Sequence, residues 1–121
     1  MSPERATILY IEDDETVRES RAAFLEMVGH KIVLEAGNLE DAEKSIDLIG
    51  KYGVDVVLLD ANLSKKDTSG KDGVYLLSKI REAHPGTKII GISLGQDIQG
   101  VDANCHKREG LEKLNEAISN I

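Results

Sequence analysis

Four short stretches of this chain place reactive groups directly after an apolar run. ILYI leads to Glu12-Asp13-Asp14-Glu15, VDVVLL to Asp60, KIIGI to Ser93, and VDANCH to Lys107. Three or more carboxylates in one place do not all ionise cheaply without a cation beside them. Carboxylates, a backbone carbonyl and waters form an oxygen ligand set that suits Mg²⁺. A hydroxyl and an ammonium in the same pocket suit a phosphoryl group, whose oxygens need neutralising. The combination fits acyl-phosphate formation on a carboxylate nucleophile. Each group also has a plain reading. The acids could be favourable charge at a helix start, Asp60 an ordinary strand-ending carboxylate, and Ser93 and Lys107 solvated polar residues. Their joint placement is what speaks for chemistry.

For these groups to meet, the apolar runs must be strands of one sheet. The pattern predicts strands at 7–11 (TILYI), 31–35 (KIVLE), 54–59 (VDVVLL), 88–92 (KIIGI) and, more weakly, 101–106 (VDANCH). Between them lie amphipathic segments. A helix is predicted over about 15–28, with Val17, Phe24, Leu25 and Val28 on one face and Gly29 ending it. Asn38 starts the next as an N-cap, with Asp41 three residues on. Leu39, Ala42, Ile46 and Ile49 form its apolar face, and Gly53 its exit. Val74, Leu77 and Ile80 mark a third helix, stopped by Pro85 and Gly86. Leu111, Leu114, Ile118 and Ile121 mark the last. Alternating aliphatic strands and helices predict a doubly wound α/β fold around a parallel sheet, as one domain over 1–121. In such a sheet the ligand site lies at the carboxyl ends of the strands, where all four groups fall. Only Ser93 to Gly100 separate the fourth strand from the fifth. A parallel crossover needs roughly a dozen residues or more, so this connection should be a single turn or an irregular loop.

The bulk composition excludes several alternatives. With 121 residues, 40% hydrophobic and 31% charged, the chain can bury a core. A net charge of −7 and few aromatic residues argue against direct nucleic-acid binding. The single cysteine, Cys105, rules out an internal disulfide and reads as a small buried residue. His30, His84 and His106 are scattered, which argues against a histidine metal site. No apolar run is long enough to cross a bilayer and the N-terminus lacks a signal-peptide pattern, so a cytoplasmic protein is expected.

The runs ILYIEDDETVRE and VDVVLLDANL, with the helix-leading Asp72-Gly73, resemble the receiver domains of two-component response regulators over essentially the whole chain. The resemblance implies a five-stranded flavodoxin-like sheet in the order 2-1-3-4-5. It also implies transfer of a phosphoryl group from a kinase or phosphotransfer-protein histidine to an aspartate, with Mg²⁺ or Mn²⁺. Carried over residue by residue, Asp60 is the phosphoacceptor and Glu12, Asp13, Asp60 and the Asn62 backbone carbonyl hold the metal. Ser93 is the switch hydroxyl and Lys107 pairs with the phosphoryl group. Asp14 competes with Glu12 for the acidic pair, but the distance to Arg18 favours Glu12. Such a domain is a phosphoacceptor that assists its own phosphotransfer and dephosphorylation, and is not a classical enzyme. Its partners would be the phosphodonor and an unknown downstream protein.

The sequence departs from this pattern around the readout. The loop after Asp60 carries a polar insertion at about 65–71, with Ser64 where proline is usual. The helix between the fourth and fifth strands should be shortened or missing. The usual aromatic switch position is Asn104. Lys107 is followed by Arg108 and not proline, which favours a trans peptide. Leu94 replaces a small residue and would narrow access to Asp60. These changes leave a second reading, a pseudo-receiver that acts as a phosphorylation-independent interaction module. A metal-dependent hydrolase is a weaker third.

Overall fold

The structure is a computed structural model that describes residues 5–61, 71–94 and 97–121. Five parallel strands, β1 (Thr7–Ile11), β2 (Lys31–Ala36), β3 (Val56–Asp60), β4 (Lys88–Ser93) and β5 (Ala103–His106), form one sheet in the order β2-β1-β3-β4-β5. The expected fold class and strand order are therefore found. β3 is buried along its whole length, because helices cover both faces of the sheet. The helices are α1 (Glu15–Met27), α2 (Leu39–Ile46), α3 (Ile49–Tyr52), α4 (Lys71–Ala83) and α5 (Leu111–Asn120). α1 and α5 pack on one face through Ala22, Leu25, Leu114 and Ile118. α2, α3 and α4 pack on the other through Ala42, Ile46, Ile49, Leu76, Leu77 and Ile80.

Three expectations need correction. Val28 and Val74 are exposed and do not belong to the buried faces of their helices. Val28 is the C-cap of α1, where the chain turns away before Gly29 at φ 107. The single helix expected over 39–52 is two, broken at Asp47-Leu48, with Gly53 closing the second in a left-handed conformation. β3 and β5 each begin two residues later than the patterning predicted. The start of β5 is displaced by Asp102, whose side chain accepts from the Ile89 N–H at 2.8 Å and faces Arg81.

Between β4 and β5 the described residues form bends and turns and no helix. Side chains hold this connection in place of a helix. Arg81 of α4 donates to the carbonyls of Thr87 and Gly100, both at 3.1 Å, and pairs with Asp102 at 2.8 Å. Ile98 is 5% exposed and joins the α4-side core. Asn104 fixes it at two points: its Oδ1 accepts from the Ile98 N–H at 2.9 Å and its Nδ2 donates to the Ile98 carbonyl at 3.1 Å.

Candidate functional site

The carboxyl edge of the sheet brings the sequence-predicted groups together from four strands. Glu12 follows β1, Asp60 ends β3, Ser93 ends β4, and Lys107 follows β5. Asp60 is in register with Ile92, so Ser93 stands one residue further along the neighbouring strand. Glu12 and Asp60 are each 1% exposed, and Ser93 is buried. Oxygens of Glu12, Asp13 and Asp60 all lie within 4.8 Å of one another. Lys107 reaches into this group from the far side. Its ammonium is 3.2 Å from Asp60 Oδ1 and 3.4 Å from Glu12 Oε1.

One ammonium facing three carboxylates leaves a pocket with surplus negative charge, and the protonation of its members records this. Burial, reinforced by Asp60 and Asp13, pushes the Glu12 carboxyl up to about 8. Burial also works against ionisation of Asp13, but hydrogen bonding with Glu12 and Asp60 outweighs it and holds Asp13 below the usual carboxylate range. For Lys107, burial disfavours the ammonium, yet Asp60 and Glu12 more than compensate and keep it firmly protonated. Converging hard oxygen donors with excess negative charge fit a divalent cation such as Mg²⁺. The Asn62 carbonyl and residues 65–70 of the insertion expected at about 65–71 lie outside the described residues, and Lys71 begins α4.

Local structure explains why the acidic run divides as it does. Asp14 is exposed and serves as the N-cap of α1, accepting from the Val17 N–H at 3.1 Å. It therefore leaves the pocket to Glu12 and Asp13. Glu12 is anchored by its main chain, whose N–H donates to Ala36 at 2.9 Å and whose carbonyl accepts from Arg18 Nη1 at 2.6 Å. Arg18 also pairs with Glu35 of β2 at 3.1 Å. Gly37 makes room for it, since a Cβ there would stand 2.9 Å from Nη1. Arg18→Met is expected to lower stability by about 2 kcal/mol, the range for a hydrogen bond made by a charged donor, read as a shift in urea midpoint. Gly73 plays a similar spatial part across the pocket. It lets the first turn of α4 approach Ala61, whose carbonyl would be 2.9 Å from a Cβ at 73.

Two departures noted in the sequence have structural outcomes. The peptide after Lys107 is trans. Leu94 is 58% exposed beside the site. Other participants carried no sequence signal. Arg21 of α1 donates to the Lys107 carbonyl at 3.1 Å. Tyr10 is fully buried on β1, and burial pushes its phenol up to about 12 against the opposing charge of Arg21. A lone arginine in a charged helix, or a tyrosine in an apolar strand, looks the same in sequence whether or not it faces a site.

Comparison with known proteins agrees with this fold. A family profile described as response regulator receiver domain matches residues 8–115. The transcriptional regulatory protein DegU of Brevibacillus brevis is 30% identical over 90 residues, which cover 74% of this chain and 35% of that protein. A cyclic di-GMP phosphodiesterase of Thermotoga maritima is 27% identical over 93 residues, covering 77% of this chain and 22% of that protein. The chain thus spans about a fifth to about a third of the length of these curated relatives. A CheY-like receiver structure from Methanospirillum hungatei superposes with a TM-score of 0.76 at 24% identity, covering 98% of this chain and 93% of that one.

Proposed function

This chain belongs to the response regulator receiver family, and from that premise we propose that it is a phosphoacceptor signalling domain with Asp60 as the acceptor. The observation that carries the reading is the Lys107 ammonium, shared between Asp60 and Glu12 in a pocket where three carboxylates converge. In the proposed reaction an Asp60 oxygen attacks the phosphorus of a donor phosphohistidine, and the phosphorus–nitrogen bond breaks as the new phosphorus–oxygen bond forms. Glu12, Asp13 and Asp60, with the Asn62 carbonyl, are the proposed holders of Mg²⁺ or Mn²⁺. Such a cation neutralises charge on the phosphoryl oxygens. Lys107 pairs with the transferred group and the Ser93 hydroxyl donates to it. The domain assists its own phosphorylation and hydrolysis and is not a classical enzyme.

We assign residues 1–121 to a single domain whose partners are a histidine kinase or phosphotransfer protein and a downstream protein. Direct nucleic-acid binding by this acidic segment is not part of the reading. No helix among the described residues is long and apolar enough to cross a membrane, and we place the domain in the cytoplasm. The second reading, a phosphorylation-independent interaction module, draws on Asn104. Its side chain is committed to Ile98 at the position where an aromatic switch residue is usual.

Acetyl phosphate or beryllofluoride with Mg²⁺ separates the two. The expected result is an acid-labile adduct by intact mass, or a ligand-induced rise in Tm, that maps to Asp60 and is absent from Asp60→Asn. An unmodified wild type, or an adduct that survives Asp60→Asn, removes the phosphoacceptor reading.

A further inference from the structure

We propose that Arg21 is a positioning residue for Lys107, fixing from α1 where the ammonium meets the phosphoryl group; the inference rests on the phosphoacceptor reading above. Lys107 lies just past the end of β5, at the last hydrogen bond of the β4–β5 ladder. Its two backbone groups are both tied. The N–H donates to the Ser93 carbonyl at 2.7 Å, and the carbonyl accepts from Arg21 Nη2 at 3.1 Å. The turn that follows is pinned separately. His106 N–H donates to Glu109 Oε1 at 2.8 Å, Glu109 N–H to the His106 carbonyl at 3.0 Å, and Arg108 N–H to His106 Nδ1 at 3.2 Å. Those bonds set the shape of the turn. The bonds from Ser93 and Arg21 set where residue 107 sits relative to the rest of the pocket.

The choice of helix matters. α1 begins immediately after the acidic pair, with Asp14 as its N-cap, and Arg21 lies about two turns along it. A helix is stiff over that length. It therefore fixes the distance between the β1 acids and the main chain of Lys107, two parts of the pocket that are not adjacent strands. A long lysine side chain could otherwise meet its partners from many backbone positions. Held at both backbone groups, Lys107 approaches Asp60 and Glu12 from one direction. This is preorganisation of a charged donor towards charge that arrives with the phosphoryl group.

The test is a double-mutant cycle in the full chain with Mg²⁺, reading beryllofluoride affinity and the rate of Asp60 modification by acetyl phosphate. Arg21→Met keeps the apolar stem and removes the donor. It is expected to weaken beryllofluoride binding and slow modification by roughly tenfold, the lower end for a hydrogen bond made by a charged donor. Arg21→Lys keeps a cationic donor and should recover most of the loss. In a Lys107→Met background, Arg21→Met should have almost no further effect, because both act through one group. An Arg21→Met protein that behaves as wild type overturns the inference. So does an equal loss with and without Lys107, which marks general damage to α1. If Arg21→Met does not fold, Arg21→Gln goes through the same cycle with the same criteria. A wild type that takes up neither reagent overturns the phosphoacceptor reading and this inference together. A wild type that does so with an insensitive Arg21→Met overturns this inference alone.

Discussion

Lys107→Met is expected to destabilise the metal-free protein by about 3 kcal/mol, the lower end for breaking a buried ion pair, because Lys107 retains some solvent contact. The variant leaves Asp60 and Glu12, each 1% exposed, facing one another without their shared cation. Glu12 gives the effect a pH dependence of definite sign. Its carboxyl has an ordinary value of 4.5 and is pushed up to about 8 in the fold. Between those values the folded chain holds a proton that the unfolded chain has released. The unfolded state binds fewer protons there, so stability falls as pH rises through that window. The cost of losing Lys107 should therefore be smaller at the low end, where Glu12 is still protonated and the Asp60 contact alone is lost, and full at the high end.

Mg²⁺ should reverse much of this loss, since a divalent ion supplies the missing charge and favours ionised Glu12. Urea unfolding of wild type and Lys107→Met at both ends of the window, with and without Mg²⁺, measures the effect. A variant as stable as wild type at the high end, or one indifferent to pH, would show that the pocket's charges are not coupled as described. By the same coupling, Mg²⁺ binding is expected to release protons over this range and to tighten as pH rises towards about 8, which a pH series of Mg²⁺ titrations measures.

Ile98→Ala is expected to cost about 2–4 kcal/mol, as truncation of a buried isoleucine does. The prediction is sharp because Ile98 belongs to a connection without regular structure, where a substitution would ordinarily change stability by no more than about 0.5 kcal/mol. Here the side chain enters the α4-side core while Asn104 holds both of its backbone groups. β4 accommodates this through Gly91. A Cβ there would stand 2.7 Å from Asn104 Oδ1 and 3.0 Å from Ile98 Cδ1. Gly91→Ala should accordingly cost about 1–3 kcal/mol by overpacking. Its effect should add only in part to that of Ile98→Ala, which removes the Cδ1 contact but leaves Asn104 Oδ1 and Cβ of residue 98 in place. Denaturant midpoints of the two variants and their double test both statements. An Ile98→Ala loss within the surface range would mean that the crossover does not complete the core.

Asn104 shows how the two regions meet. It lies on β5 opposite Gly91, two residues from Ser93 on β4 and three from Lys107 in the chain. Its amide is occupied by Ile98. A phosphoryl group at Asp60 that drew on Ser93 and Lys107 would pull on the two strand ends that frame this clamp.

The sequence by itself determined the fold class and the edge at which the reactive groups gather, through local signals: aliphatic runs of strand length, helical spacing of Leu and Ile, and polar residues directly after the strands. The strand order came only with the family resemblance carried by ILYIEDDETVRE and VDVVLLDANL. Asp60 and Lys107 were legible because each follows such a run. The Asn38 cap was legible because capping is a short-range contact, and Asn38 does accept from the Asp41 N–H. The spacing to Arg18 already favoured Glu12 over Asp14 for the pocket, and the tertiary structure decided that Asp14 caps a helix instead. The difference between Glu12 and Asp14 is set by the turn from β1 into α1 and by Arg18 reaching the Glu12 carbonyl. It alone decided that Arg21 supports Lys107, that Ile98 fills the core and that Asn104 clamps it. Each of these contacts joins residues from different elements, and a pattern that repeats along the chain holds no information about which side chain stands across the sheet from another.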